Sequence, residues 1–372
     1  MEKLPVPYLS LDVALDKVRF PLSAIDQEGK LLGRIDLSHV FRMTNTVGIV
    51  QHALYATPQY QHGYSLDDQV RALMLAVIAH DQQSDPQYAA LIHTYLAYIA
   101  YMKTDDGYFR NFLSFDHQFV DEKGTEDALG RTMMALGFAL KYNRDAQFDA
   151  LLLELFRFGL RKTRLLKSVK AASYAILGLL YYLEKDPFHG ESKEILEVLG
   201  GFLRQEYAAA SDVNWEWFEE VLSYDNAMIP LSVLRLSRYW TDAHMEQLGL
   251  QSASFLLKHS FESSVFSPVG NEAWWKKGSQ KSLFGQQAIE VPSTLLLLEE
   301  LYFHTRDTAY LEQMPVCFQW FLGRNRLSIP LFDPHTKGCK DGLEQYGVNE
   351  NQGAESVLSF WLAYAYMFTP YQ

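Results

Sequence analysis

Two kinds of helical stretch alternate along this chain of 372 residues, and the alternation narrows the folds open to it. One kind is amphipathic. In 145–160, Phe148, Leu151, Leu152, Leu155 and Phe156 recur at the spacing of a single helix face. The stretch 191–207 does the same, with Ile195, Leu196, Leu199, Phe202 and Leu203 set against Glu, Lys and Arg. The other kind is apolar nearly all round: AASYAILGLLYYL (171–183), TMMALGFAL (132–140) and VLSFWLAYAYMF (357–368). A helix apolar on every side has to be surrounded by protein. An inner ring of such helices inside an outer ring of amphipathic ones meets both demands.

Inner helices are predicted to begin near Asp67, Glu126, Val169, Asp225, Gln286 and Gln352. Outer helices are predicted near 37–56, 86–102, 146–160, 191–208, 243–258 and 307–323. Six of each make six helical hairpins. The expected fold is all-α, an (α/α)6 toroid forming one domain over 1–372, with 1–35 as an N-terminal arm. Pro292 and Pro315 are expected to kink or shorten their helices. A short extended piece is expected at 327–332. No Ser/Gly/Pro-rich run divides the chain, and a hydrophobic share of 48% suffices for one large core.

A formal charge of −12 argues against nucleic acid, which requires a basic footprint, and against an anionic membrane surface. It is compatible with a neutral ligand such as a sugar. The first residues lack the basic-then-apolar layout of a signal peptide, and no apolar run reads as membrane-spanning. Two cysteines are too few for a disulfide framework. The expectation is a cytoplasmic protein. The eleven His show no HExxH or paired-ligand spacing, and GxGxxG, Walker A and GxSxG elements are absent. No metal and no cofactor are expected.

The segments just before the predicted inner helices have an unusual composition. They hold His62, Tyr64, Asp67 and Asp68, then Asp106, Arg110 and Asn111 running on to Glu126, Asp127 and Arg131. Next come Trp215, Glu216, Tyr224, Asp225 and Asn226, followed by Asn271, Glu272, Trp274, Gln286, Gln287 and Glu290. The last group is Asp341, Glu344, Asn351, Gln352 and Glu355. In a toroid these loops share one end, where helix N-termini offer free N–H groups and a positive dipole end. Acids there could be simple N-caps or first-turn residues. Capping, however, does not require Trp, Tyr, Asn, Gln and Arg beside each acid. Sugar binding does, because aromatic faces stack on C–H patches while carboxylates and amides pair with hydroxyls.

Glycosidic hydrolysis needs one protonated acid and a second carboxylate. Glu272, Asp225, Glu344, Asp127 and Asp68 are the candidate catalytic acids, and the other residues named in these loops are candidate substrate contacts, Arg131 doubling as a cation able to lower a nearby carboxylate. His52 reads as a structural histidine, and the loops show no evident His pair of the kind a sugar epimerase would use. The loop 161–167 before the third inner helix is basic, so that side of the cleft is expected to be open or to face something anionic.

The same stretches resemble a bacterial family of six-hairpin glycosidase-like proteins found alone or attached to glycosyltransferases. The resemblance is carried by HGYSLDDQVR (62–71), DGYFRNFLSFD (106–116), EDALGR (126–131), YDNA (224–227), SPVGNEAW (267–274), FGQQAIE (284–290), DGLE (341–344) and NQGAES (351–356). In order, they span most of the chain. Ser65 and Gln69 stand where that pattern leads one to expect Cys and Asn, while Asp67, Asp68 and Arg71 are kept. The resemblance implies an (α/α)6 fold with a glycosidase-like cleft. The expected function is a glycoside hydrolase acting on a short oligosaccharide or glycan. Two alternatives stand beside it: a non-catalytic glycan-binding or accessory subunit of a glycosyltransferase or phosphorylase, and a sugar 2-epimerase or lyase on the same fold.

Overall fold

The computed structural model describes residues 35–83, 85–262 and 265–368; the expected N-terminal arm, apart from Ile35, lies outside them. Twelve helices make up the described chain: α1 (Ser38–Met43), α2 (Leu66–Gln83), α3 (Pro86–Tyr101), α4 (Glu126–Tyr142), α5 (Asp149–Thr163), α6 (Val169–Lys185), α7 (Gly190–Ala210), α8 (Met228–Trp240), α9 (Ala243–Ser260), α10 (Glu290–Thr305), α11 (Ala309–Phe318) and α12 (Ala354–Phe368). The even-numbered helices pack in sequence, α2 on α4, α6, α8, α10 and α12, and α12 returns to α2. The ring is closed. Each odd-numbered helix backs a neighbour in the chain, and α1 supplies the outer cover for α12. This is the (α/α)6 toroid predicted from the alternating patterns.

Burial follows the two patterns. In α12, Ala354 through Ala365 are buried except for Glu355, whereas α5 buries only Leu152, Leu155, Phe156, Gly159, Leu160 and Thr163. Local signals set the helix starts. Thr125 Oγ accepts from Ala128 N ahead of α4, Ser168 Oγ accepts from Ala171 N ahead of α6, and Asp85 caps α3 with Pro86 next to it. The closest approach is between α4 and α6. A Cβ added at Gly137 would lie 2.0 Å from the Gly178 carbonyl oxygen, so only glycines allow the two backbones to touch.

Three expectations need correction. The outer helix predicted over 37–56 stops at Met43. There the chain turns, with Asn45 Oδ1 accepting from Val47 N and Gly48 N, and the antiparallel pair Ala53–Leu54 with Thr57–Pro58 follows. Pro292 does not disturb α10 because it falls in the first turn, where its missing N–H is not needed. Pro315 does act as expected: α11 ends at Phe318 and tightens into a 3-10 turn, Gln319–Leu322. In 327–332 only Phe332 belongs to a strand, because Asn325 Oδ1 holds Leu327 N and Ile329 N in a turn.

Among the described residues, every strand is two or three residues long and lies between an outer helix and the next inner one. Tyr64–Ser65 pairs with Phe112–Leu113, Val221–Leu222 with Trp275–Lys276, and Gln286–Gln287 joins the hairpin Gly342–Glu344 and Gly347–Asn349. These ladders stiffen one end of the ring, which we call the mouth. At the other end the connections are short. No helix among the described residues is long and apolar enough to cross a membrane.

Candidate functional site

Inner-helix N-termini converge at the mouth, and the first turns of α2, α4, α10 and α12 carry acids. Asp67 and Asp68 lie in the first turn of α2, where Ser65 Oγ accepts from Asp68 N and donates to Asp68 Oδ2 at 2.6 Å. A chain of polar contacts crosses the ring from there. Arg131 Nη1 of α4 lies 3.0 Å from Asp67 Oδ1, and its Nη2 donates to Tyr174 OH of α6 at 3.1 Å. Tyr174 OH donates in turn to Asp225 Oδ2 at 2.6 Å. Glu290, the first residue of α10, accepts from Asp225 N at 2.5 Å and from Asn226 N at 3.4 Å. Asp225 has φ +51°, a conformation that costs a non-glycine residue roughly 1 kcal/mol or more, and the Glu290 carboxyl holds it in place.

A second branch runs the other way. Arg71 bridges Asp68 Oδ1 and Glu355 Oε2, both at 3.2 Å, and Gln287 Nε2 approaches Glu355 Oε1 at 3.5 Å. The Glu355 side chain is 40% exposed, so this branch reaches solvent at the mouth. Beside it, the His52 and His62 rings meet edge to face with centroids 4.8 Å apart.

Two neighbouring carboxyls experience opposite fields. Burial would raise Asp67, yet Arg131 and Arg71, together with the hydrogen bond from Asn111 Nδ2, hold it below the usual carboxylate range. Burial pushes Asp68 up to about 7 despite Arg71, whose charge is shared with Glu355. Deeper in, burial and then the charge of Asp225 push Glu290 up to about 8. Burial also raises Asp225, with Arg131 opposing it. Burial and then the charge of His62 hold His52 below the ordinary imidazole value.

On the α4–α6–α8 side, Asp127 is half-buried and accepts from Tyr224 OH at 2.5 Å and Ser168 Oγ at 2.7 Å. Lys170 Nζ faces the Tyr224 ring at 5.0 Å and lies 3.5 Å from Glu219. Trp274 leans on Tyr224, with ring centroids 6.1 Å apart. In the basic loop 161–167, Arg164 pairs with Glu194 of this chain at 3.3 Å, and Glu126 accepts from the backbone N–H groups of Lys167 and Ser168. Arg131 pairs with Asp67 of another helix rather than with Asp127 on its own. Near the acids, Gln51 Oε1, Asn111 Oδ1 and Arg131 Nε are buried with no hydrogen-bond partner among the described residues.

Several predicted contact residues turn away from the mouth. Tyr64 is fully buried and its hydroxyl accepts from Asn45. Trp215 packs against Phe255 and Trp275 and donates to Glu219 O. Gln286 is buried against Trp320 and Ser267, Asn226 is tied to the Ser223 backbone, and Gln352 is taken up by Thr336 and Asp333. Each is a polar or aromatic group whose partners are internal, so burial costs little. Arg110 stacks on Phe119 and donates to Lys103 O, Asp106 closes a turn with Thr104, and Glu216 lies against Tyr207 of outer helix α7. Asn351 accepts from Tyr55 N, and Asp341 accepts from Gly353 N and Ser356 Oγ at the start of α12. Asn271 and Glu272 are exposed; burial, then the charge of Glu272, raises Glu344 nearby at the rim.

Sequence reasoning did not single out Tyr174 or Lys170. Both lie in the apolar third inner helix, and neither has an acid or Trp beside it in sequence. It also missed the His52–His62 contact, which brings together residues ten apart across a hairpin. Cys317 and Cys339 are free and buried, and burial pushes both thiols up, away from reactivity.

No family model and no curated protein matches the sequence. Solved structures do match in fold. The cellobiose 2-epimerase from Spirochaeta thermophila superposes with a TM-score of 0.69 over 96% of this chain and 97% of its own, at 11% identity. A D-mannose isomerase gives 0.65 over 90% and 96%, at 13% identity. The alpha-1,6-mannanase of Salegentibacter sp. gives 0.59 over 88% and 95%, at 11% identity. The likeness is one of fold, and in fold this chain is an (α/α)6 toroid.

Proposed function

We propose that the protein is a carbohydrate-active enzyme that hydrolyses a glycosidic bond at the mouth of the ring, with Asp67 and Asp68 as its central acids. The observation that carries this reading is the unequal surroundings of the two neighbouring carboxyls: Arg131 and Asn111 contact Asp67, whereas Asp68 shares Arg71 with Glu355. Asp68, pushed up to about 7, keeps its proton near neutrality and can give it to a leaving oxygen. Asp67 stays ionised under Arg131 and can serve the attacking side. Tyr224, Trp274 and Asp127 offer a stacking face and a hydrogen-bonding carboxylate around them. The Salegentibacter mannanase was solved as an inactive variant with two consecutive aspartates replaced, in complex with alpha-1,6-mannotetrose. A consecutive pair also stands at the centre of this site.

The test is product analysis on manno-, gluco- and xylo-oligosaccharides. Hydrolysis gives shorter sugars with one added water per cut, and Asp67→Asn or Asp68→Asn lowers turnover by about 100-fold or more. Binding without product across the panel would instead leave the protein a glycan-binding subunit.

A second reading, sugar 2-epimerisation, is favoured by one observation: the His52 and His62 rings touch at the same mouth, and two imidazoles are groups suited to acid/base work. Its product has the mass of its substrate. An isobaric product whose formation is abolished by His52→Ala, and spared by Asp68→Asn, would replace hydrolysis with epimerisation.

A further inference from the structure

Exposed aromatic rings gather on one sector of the mouth. Tyr60 is 48% exposed and Phe115 46%, and their rings stack with centroids 4.7 Å apart at 25°. Beyond them, Phe119 is 40% exposed and lies 4.9 Å from Tyr101. Large rings left in water at this density call for a partner.

Their position points to the partner. Tyr60 sits in the short turn Tyr60–His62, so it is two residues from His62, whose ring touches His52 beside Glu355. Phe115 lies just past Phe112–Leu113, the strand that pairs with Tyr64–Ser65. That second strand runs straight into Asp67 and Asp68 of α2. The loop carrying Phe115 also provides Asn111, which donates to Asp67. The strand pair and the Asn111 contact therefore connect the loop of Phe115 to the acids, and the Tyr60–His62 turn lies against that loop through the stacked rings. Exposed hydrogen-bonding groups, Gln61, His62 and Asp116, are interleaved with the rings. Flat rings with polar groups at their edges suit a sugar, whose C–H face stacks while its hydroxyls pair. A protein-docking patch of this size has fewer polar groups at its centre.

We propose that Tyr60 and Phe115 form a stacking platform for the distal units of a glycan whose reacting bond lies at Asp67 and Asp68. The substrate is then an oligosaccharide chain longer than a disaccharide. This inference rests on the functional reading above and narrows its substrate class.

The experiment measures binding by calorimetry with the Asp67→Asn variant, so that ligand is not consumed. The probes are manno-, gluco- and xylo-hexaoses and the corresponding disaccharides. Tyr60→Ala and Phe115→Ala are each expected to weaken hexasaccharide binding roughly tenfold while moving disaccharide binding less than twofold. Val120→Ala, which removes an exposed apolar group without a ring from the same loop, is the control and leaves both unchanged. Both ring residues are on the surface, so thermal unfolding should show the variants folded. Hexasaccharide binding that is insensitive to both ring substitutions overturns the platform and leaves the acid site standing. Binding of no probe overturns the sugar reading itself. A change of sedimentation behaviour in the ring variants, without a change in hexasaccharide affinity, would assign the rings to contact between copies and overturn the proposal.

Discussion

Asp67 and Asp68 occupy one turn of helix, and what separates them chemically is the company each keeps. Arg131 and Asn111 address Asp67, whereas Asp68 shares Arg71 with Glu355. If Asp68 is the acid, activity should fall as pH rises through about 7, and should persist on the acidic side for as long as Asp67 stays ionised. Glu355→Gln removes a nearby negative charge and frees Arg71 from its ion pair outside the aspartates. Both changes lower the Asp68 pKa, so the alkaline limb of a pH–rate profile should move to lower pH. An unmoved limb would take Asp68 out of the acid role. Glu290 gives a stability prediction of definite sign. Its folded pKa is raised to about 8, so the folded state holds a proton there that the unfolded chain releases near 4.5. Stability from this group is complete below the unfolded value and declines as pH rises through 8. Glu290→Gln keeps an acceptor for Asp225 N but cannot ionise, so the melting temperature should depend less steeply on pH between 5 and 8, as differential scanning calorimetry would show.

Helix α6 meets α4 through backbone contact, and this sets how closely the two sides of the site approach. A Cβ at Gly178 would lie 2.2 Å from the Met133 carbonyl oxygen, and backbone there cannot rotate aside. Gly178→Ala gains about 1 kcal/mol in helix propensity, but overpacking of this kind costs about 1–3 kcal/mol. The clash should win, lowering stability in urea titration and moving Tyr174 relative to Arg131. Gly201 of α7 is the contrasting case, with open space around the added carbon. Gly201→Ala should stabilise by up to about 1 kcal/mol. If both substitutions stabilise, α4 and α6 are not in the close contact described.

At the scale of the molecule, the closed ring has no free edge among the inner helices, and α12 completes it by packing against both α10 and α2. The chain's last helix therefore supports its first inner one and the acids on it. We expect the toroid to unfold as one domain, in a single calorimetric transition; two resolved transitions would divide it into separable parts. Removing residues 354–368 should expose the apolar flanks of α2 and α10 and abolish soluble expression rather than merely weaken binding. The ring also has polarity. Strands and long loops gather at the mouth, while short connections close the far end, so variation in the long loops can change the site without disturbing the helical core.

The architecture was legible in sequence because it rests on local periodicity. Apolar-all-round and amphipathic helices announce which ring they join, and the predicted inner starts at Glu126 and Val169 coincide with observed ones. Loop composition located the mouth for a similar reason: acids and amides cluster where helix N-termini need them. The sequence could not say which polar residues face the cleft. Tyr64, Trp215 and Gln286 have the composition of a binding loop, yet short inter-loop strands turn Tyr64 and Gln286 inward, and Trp215 packs on Phe255 and Trp275. Pairings depended on tertiary structure alone. Arg131 reaches Asp67 across 64 residues, and Tyr174 reaches Asp225 across 51. Such contacts leave no local pattern, because ring closure brings them together, and the Arg131 pairing that holds the pKa of Asp67 below that of Asp68 exists only once the ring is formed.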